Sequence, residues 1–377
     1  MKVIHIYGGT LSSSRVKRIG GIEEHFLNLK SKLKENFFIV YAGTSRDTSF
    51  EKNMGESMVV LTDKSYFYYM IEYIKFIKKQ KNEDAQLIVH VHFSPISHLV
   101  IVATRLLGIR RIYWTKHSRL MIKRFSKSWF INKISTFFVK KVICVSQAIE
   151  AELGELSIGK DKTEVVPLGL NIKKYQKTVL KSTEELLRKE LKINSTDFVI
   201  TIVAQQRPEK RVEVFIEAFA EFIKKTNSEN IVGLVVGGGP LEEKNIELAK
   251  KLEIFDKLRF LGLRHDIDVI YKISDIAGLT SETEGLPFAL MEACSLALPL
   301  FGSVAGGIPE IIKNEYNGLL FEVGDYKALA KIFDVFYNDA LAREKLGNNS
   351  YQHISVHYEI NKCTDRLISL YKNEFGL

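Results

Sequence analysis

The stretch from Thr280 to Glu310, TSETEGLPFALMEACSLALPLFGSVAGGIPE, decides how this chain is read. It puts two of its carboxylates, Glu284 and Glu292, eight positions apart. Gly285, Leu286 and Pro287 follow the first, and Gly306-Gly307-Ile308-Pro309-Glu310 closes the segment. Proline has a fixed φ and no amide hydrogen, so Pro287 suits the first turn of a helix. The helix then reads Phe288-Ala289-Leu290-Met291-Glu292-Ala293, with Glu292 a turn inside and Glu284 in the loop before it. First-turn amides lack an intrahelical acceptor and attract anions. A loop carboxylate, a bare helix N-terminus and a helix carboxylate together suit a polyhydroxylated anion such as a nucleotide sugar.

Outward from this segment, short apolar runs alternate with longer amphipathic stretches. In the first half, strands are expected at 3–7, 37–42, 87–92, 111–115 and 142–145, with helices at 21–33 and 66–77. In the second half, strands are expected at 198–204, 231–238, 258–262, 276–280 and 298–302, and 358–375 reads as a helix. Strands separated by helices imply parallel βαβ units and doubly wound sheets, with the ligand beyond the carboxyl ends of the strands. The linker is placed near 169–181. The domains are expected at 1–172 with 358–377, and at 173–357.

The chain has 377 residues, enough for two cores. Cys144, Cys294 and Cys363 are too few and too scattered for a disulfide framework or a zinc site, which points to a reducing cytoplasm. MKVIHIYGG reads as a first strand rather than a signal peptide, and no apolar run is long enough to span a membrane.

The net charge of +9 is unevenly spread: 85–149 contains 11 Lys and Arg and no Asp or Glu. Within it, 118–141 mixes basic residues with Phe125, Trp129, Phe130, Phe137 and Phe138. Two readings stay open for that segment, a solvated basic face over an ordinary core and docking on an anionic membrane surface. Nucleic acid is not an expected partner, because no recognition-module motif is present.

The Glu284-to-Glu310 segment resembles the signature of the retaining glycosyltransferases of family 4, which have the GT-B fold. Seven residues separate the paired glutamates in that family, as here. The resemblance implies an α/β chain of two Rossmann-like domains facing a central cleft, with the last helix crossing back to the first domain. It places Glu284 near the donor sugar and its phosphates and Glu292 on the ribose hydroxyls. Gly285, Leu286, Pro287, Phe288 and Ala289 fall around the diphosphate.

The loop Gln205-Gln206-Arg207-Pro208-Glu209-Lys210-Arg211 resembles the family's second donor element. Lys210 matches a lysine on the diphosphate. The family's arginine falls on Gln205, and either Arg207 or Arg211 is left to supply that charge. Gly20-Gly21 resembles the first glycine-rich loop, and His117, after the strand RIYWT, falls where the family commonly has a histidine near the donor sugar.

The function so implied is a hexosyltransferase-type enzyme, retaining and metal-independent, with no cofactor and no metal ligands. It moves a sugar from a nucleoside-diphosphate sugar to a glycan or lipid-linked acceptor hydroxyl in bacterial surface polysaccharide assembly. The expected location is the cytoplasm, peripheral on the inner face of the cytoplasmic membrane if 118–141 docks there. The alternative is a catalytically silent nucleotide-sugar-binding subunit or sensor at the membrane.

Overall fold

A computed structural model describes residues 1–7, 21–42, 49–61, 65–84, 86–92, 96–175 and 181–376. The chain divides into two compact units, Met1–Gly169 with Ile360–Leu377, and Leu170–Glu359.

The first unit is built on seven strands: β1 (Lys2–Tyr7), β2 (Phe37–Ala42), β3 (Met58–Leu61), β4 (Leu87–Val91), β5 (Ile112–Lys116), β6 (Lys141–Cys144) and β7 (Thr163–Val165). Their order across the sheet is β3-β2-β1-β4-β5-β6-β7, every pair parallel. Parallel neighbours need a crossover, and helices such as Gly21–Leu33 and Tyr66–Glu83 supply it. Covered on both faces, β4 and β5 are buried at every residue, which is why they read as near-continuous apolar runs.

The second unit repeats the pattern with β8 (Phe198–Val203), β9 (Ile231–Val236), β10 (Leu258–Gly262), β11 (Ile276–Leu279), β12 (Leu300–Ser303) and β13 (Gly318–Phe321). The order is β10-β9-β8-β11-β12-β13, again parallel throughout. In both sheets the winding reverses, between β1 and β4 in the first and between β8 and β11 in the second. The loops leaving such a strand pair diverge and open a crevice at their carboxyl ends. The expected α/β architecture of two Rossmann-like units is the one observed.

The last helix, Ile360–Asn373, belongs to the first unit. Its Leu367, Ile368 and Tyr371 join the core formed by Val3, Phe26, Phe37, Ile88 and Tyr113. The Tyr371 hydroxyl also hydrogen-bonds His90 Nδ1.

Three strands escaped the sequence reading: β3, β7 and β13. All three lie at a sheet edge and span only three or four residues. The helix at Tyr66 runs on to Glu83 because Tyr69, Tyr73, Ile77 and Gln80 continue one buried stripe, with a glutamine standing where an apolar residue was sought. No helix among the described residues is long and apolar enough to cross a membrane.

Candidate functional site

In the second unit the reversal puts the loop after β8 beside the loop after β11, and backbone bonds tie them together. After β8 the chain makes one 3-10 turn, Pro208–Lys210, and Arg211 takes the left-handed conformation before the helix Val212–Thr226. The Thr280 hydroxyl donates to the carbonyls of Lys210 and Arg211 at 3.0 and 2.8 Å, and the Glu282 amide donates to the Glu209 carbonyl at 3.0 Å. The buried Gln206 side chain donates to the Gly237 carbonyl and accepts from Asn245, both at 2.8 Å. The Gly237–Pro240 turn is therefore a brace for this loop.

So braced, Lys210 Nζ reaches Glu284 Oε1 at 2.7 Å, and the Ser281 hydroxyl donates to the same oxygen at 2.8 Å. Gly306 holds Glu284 from behind. Its φ is +50°, and a Cβ there would lie 2.1 Å from the Glu284 carbonyl oxygen. That carbonyl accepts from the Gly307 amide at 3.1 Å. The two ends of the decisive segment thus meet in space.

The helix expected after Pro287 runs Phe288–Ser295, and Pro287 is its N-cap residue with no side-chain cap. The amides of Phe288 and Ala289, its first two residues, precede any intrahelical acceptor. Glu292, four residues beyond Phe288, lies on the same face. The Tyr175 hydroxyl donates to Glu292 Oε1 at 2.5 Å, and Tyr175 is itself buried. Sequence reading missed Tyr175, which sits in a four-residue helix at the domain junction with no motif around it. Gly285 is half-buried and Leu286 buried in the loop between.

The two arginines near Gln205 differ. Arg211 pairs with Glu213 at 2.5 Å and Glu282 at 3.5 Å, and these carboxylates raise its pKa. Arg207 is exposed and has no ion pair among the described residues; Gln205 is exposed beside it. The triplet Asp266-Ile267-Asp268 has a spacing that often marks a cation site. Here Arg264 takes up Asp266, donating to its two oxygens at 2.9 and 2.6 Å.

In the first unit, Gly21 opens the helix Gly21–Leu33, while Gly20 lies outside the described residues. His117 follows β5 and is joined to His92, which is joined to His5, by ring-nitrogen bonds of 2.9 and 2.8 Å. Burial lowers the pKa of His117 to about 3 and of His25 to about 4, and drives those of His5, His90 and His92 well below normal. His5, His90 and His92 have nitrogens within 4.8 Å of one another, the residue type and spacing for a metal. Five of their six ring nitrogens are taken up by one another, by His117, by Tyr371 and by Thr115, the last at 2.6 Å, and His5 Nε2 is buried with no hydrogen-bond partner among the described residues. Beside His117, Lys116 is buried with Nζ 2.8 Å from Asn132 Oδ1 and 3.2 Å from the centre of the Trp114 ring. Burial lowers its pKa to about 7.

The basic aromatic segment contains the helix Lys127–Phe138, whose polarity is inverted. Asn132, Ser135 and Thr136 face inward with Trp129, while Phe130, Ile134 and Phe137 are exposed. These exposed side chains line a groove of about 630 Å³ edged by Lys133, Lys160 and Lys162.

Residues 183–353 match the family described as Glycosyl transferases group 1, and residues 19–174 match Glycosyltransferase Family 4. The chain belongs to glycosyltransferase family 4. Among relatives of this glycosyltransferase, the UDP-Gal:alpha-D-GlcNAc-diphosphoundecaprenol alpha-1,3-galactosyltransferase of Escherichia coli is 29% identical over 80% of this chain and 78% of its own length. The N-acetyl-alpha-D-glucosaminyl L-malate synthase of Bacillus anthracis is 26% identical over 75% of this chain and 74% of its own. Among solved structures, Anabaena Alr3699/HepE in complex with UDP superposes with a TM-score of 0.81, covering 99% of this chain and 100% of that one. At 18% identity that likeness concerns the fold alone.

Proposed function

We propose that this family 4 glycosyltransferase is a retaining, metal-independent enzyme. In this reading it moves a sugar from a nucleoside-diphosphate donor to an acceptor hydroxyl in bacterial polysaccharide or lipid-linked glycan assembly. The observation that carries the reading is the Lys210–Glu284 contact at the reversal of the second sheet, beside the helix start that leads to Glu292. Cation, carboxylates and unsatisfied amides there match the parts of a nucleotide sugar. The acceptor class is supported by the relative named for a diphosphoundecaprenol substrate.

In the proposed reaction the bond between the anomeric carbon and the diphosphate oxygen breaks, and a bond to the acceptor oxygen forms on the same face. Lys210, Arg207 and the amides of Phe288 and Ala289 stabilise the charge gained by the leaving diphosphate. The departing phosphate oxygen takes the acceptor's proton. Glu284 holds sugar hydroxyls, Glu292 the ribose, and His117 the sugar or its phosphate. Gly285, Leu286 and Pro287 shape the donor loop, and Gly20 and Gly21 allow close approach at the start of the first helix. Arg207 rather than Arg211 is assigned the charge missing at Gln205, because Arg211 is already paired with two carboxylates.

The inverted helix Lys127–Phe138 supports docking on an anionic membrane surface, since its outward Phe130, Ile134 and Phe137 are ringed by lysines. Sedimentation with anionic vesicles at low salt should retain the protein. Charge reversal at Lys123, Arg124 and Lys127 should release it, and equal recovery on zwitterionic vesicles would end this part of the reading.

A screen of nucleotide sugars for binding and slow hydrolysis, with wild type beside Glu292→Ala and Lys210→Ala, tests the whole. One donor bound and weakened in both variants supports the site, whereas no donor bound overturns it. The silent-subunit reading is favoured only by the exposed Gln205. Donor binding without turnover towards any acceptor, lipid-linked ones included, would move the assignment to it.

A further inference from the structure

The first sheet has two ends, and the proposed reaction uses only the carboxyl one, where His117 follows β5. At the amino ends of β4, β5 and β6 lies a separate cavity of about 400 Å³. Four cations line it, Lys81, Arg110, Arg111 and Lys140, with Glu374 as their single acid. Other acids near these elements are engaged: Glu83 with Lys2 at 3.3 Å, Asp84 with the N-terminal amine at 3.9 Å, and Glu164 with Lys141 at 3.1 Å.

The cations are held in place. Lys81 Nζ donates to the Leu107 carbonyl at 2.7 Å. The Arg111 guanidinium lies 4.2 Å from the centre of the Phe375 ring. Stacking of that kind occupies the flat face of the group and leaves the N–H donors at its rim. Lys140 Nζ stands 3.6 Å from Glu374. The backbone beneath is fixed as well, the Lys140 amide donating to the Ile112 carbonyl at 2.7 Å and the Val89 amide to that of Arg111 at 3.0 Å. Arg110 is exposed and has no ion pair among the described residues.

Charge in the cavity does not balance. Four cations against one carboxylate leave three positive charges. The helices Tyr66–Glu83 and Ser97–Leu106 end beside it, and each C-terminus adds about half a negative charge. About two positive charges remain, facing a concavity whose buried apolar walls, Leu87 and Ile109, concentrate the field. A phosphate monoester carries about two negative charges at neutral pH, and its oxygens suit guanidinium and ammonium donors. We propose that this cavity binds the phosphate monoester of a small molecule or of a lipid headgroup, at the end of the sheet away from the reaction. Arg110 and the rim of Arg111 take its oxygens, and Lys81 and Lys140 supply the remaining charge.

Titration of the ¹⁵N-arginine protein with methyl phosphate at constant ionic strength tests the site, with Arg111 assigned by the signal lost in Arg111→Lys. The Arg111 Nε–H signal should shift and saturate, whichever anions the donor site also takes up. Half-saturation should need about tenfold more ligand in Arg110→Gln, whose exposed position leaves the fold intact. Sedimentation with vesicles of phosphatidic acid, a monoester, against phosphatidylglycerol, a diester, tells the two sources apart. A preference for phosphatidic acid that is lost in Arg110→Gln assigns the lipid headgroup, and saturation by methyl phosphate without that preference assigns a soluble ligand. The site is overturned if methyl phosphate does no more than chloride, or acts alike on Arg110→Gln, and no vesicle preference depends on Arg110.

Discussion

Acidification should unfold the first unit well before the second. His5, His25, His90, His92 and His117 all lie in it, and burial holds each neutral with a depressed pKa. In the unfolded chain each titrates near its ordinary value of about 6.5. Below that pH the unfolded chain binds more protons than the folded one, so stability falls as pH falls. For one histidine that stays neutral in the fold, the loss at pH 5.5 is RT ln(1 + 10), or about 1.4 kcal/mol. Five such groups lose about 7 kcal/mol, comparable with the stability of a typical domain at about 5–15 kcal/mol. The two tryptophans of the chain, Trp114 and Trp129, are both buried in this unit, so their fluorescence follows it alone. Urea melts read by that fluorescence at pH 7.5, 6.5 and 5.5 should show the midpoint collapsing between the last two. His25→Gln should recover about one fifth of the loss, roughly 1.4 kcal/mol. A total loss below about 2 kcal/mol would show that no more than one of these rings is held neutral, and the reasoning would fail.

Four further outcomes are expected. Tyr175→Phe removes the hydroxyl that holds Glu292. Donor affinity measured by calorimetry should drop two- to tenfold, about 0.5–1.5 kcal/mol, with the fold intact. Gly306→Ala places a methyl group against the Glu284 carbonyl at positive φ. It should cost about 1–3 kcal/mol in the calorimetric melt of the second unit and reduce donor binding with it. Leu367→Ala in the last helix should cost the first unit about 2–5 kcal/mol in the fluorescence-detected urea melt. Lys116, its pKa lowered to about 7, makes the unfolded chain the stronger proton binder above that pH. Stability should therefore rise by up to about 1.4 kcal/mol per pH unit between pH 7 and 8.5, and Lys116→Met should lack the rise. The window closes there because the Cys144 thiol, raised to about 12 by burial, adds an opposing term once free thiols ionise.

What the amino-acid order reveals and what it hides follow from physical range. Central strands such as β4 and β9 are covered on both faces, so their residues had to be apolar and the runs stand out. The edge strands β3, β7 and β13 have one neighbour each and are short, which leaves little pattern to read. At the site, Glu284, Lys210 and Glu292 lie in segments whose spacing is itself a signal, and the first two prove to touch. Tyr175 is 117 positions from Glu292 and reaches it through the fold, a relation that no local pattern encodes. The same holds for His5, on β1, and His117, just after β5, which are joined through His92.

The histidine line also shows why burial and function pull against each other in this unit. A core of leucines in place of His5, His90 and His92 would escape the acid penalty, since replacing buried polar networks with apolar side chains is often neutral or stabilising. Retaining imidazoles on β1 and β4 adds a cost that grows below neutrality. It also supplies what leucine cannot, a set of directional bonds that reach the carboxyl edge of the sheet at His117. A first unit that resists acid would mean rings already charged or hydrated in the fold.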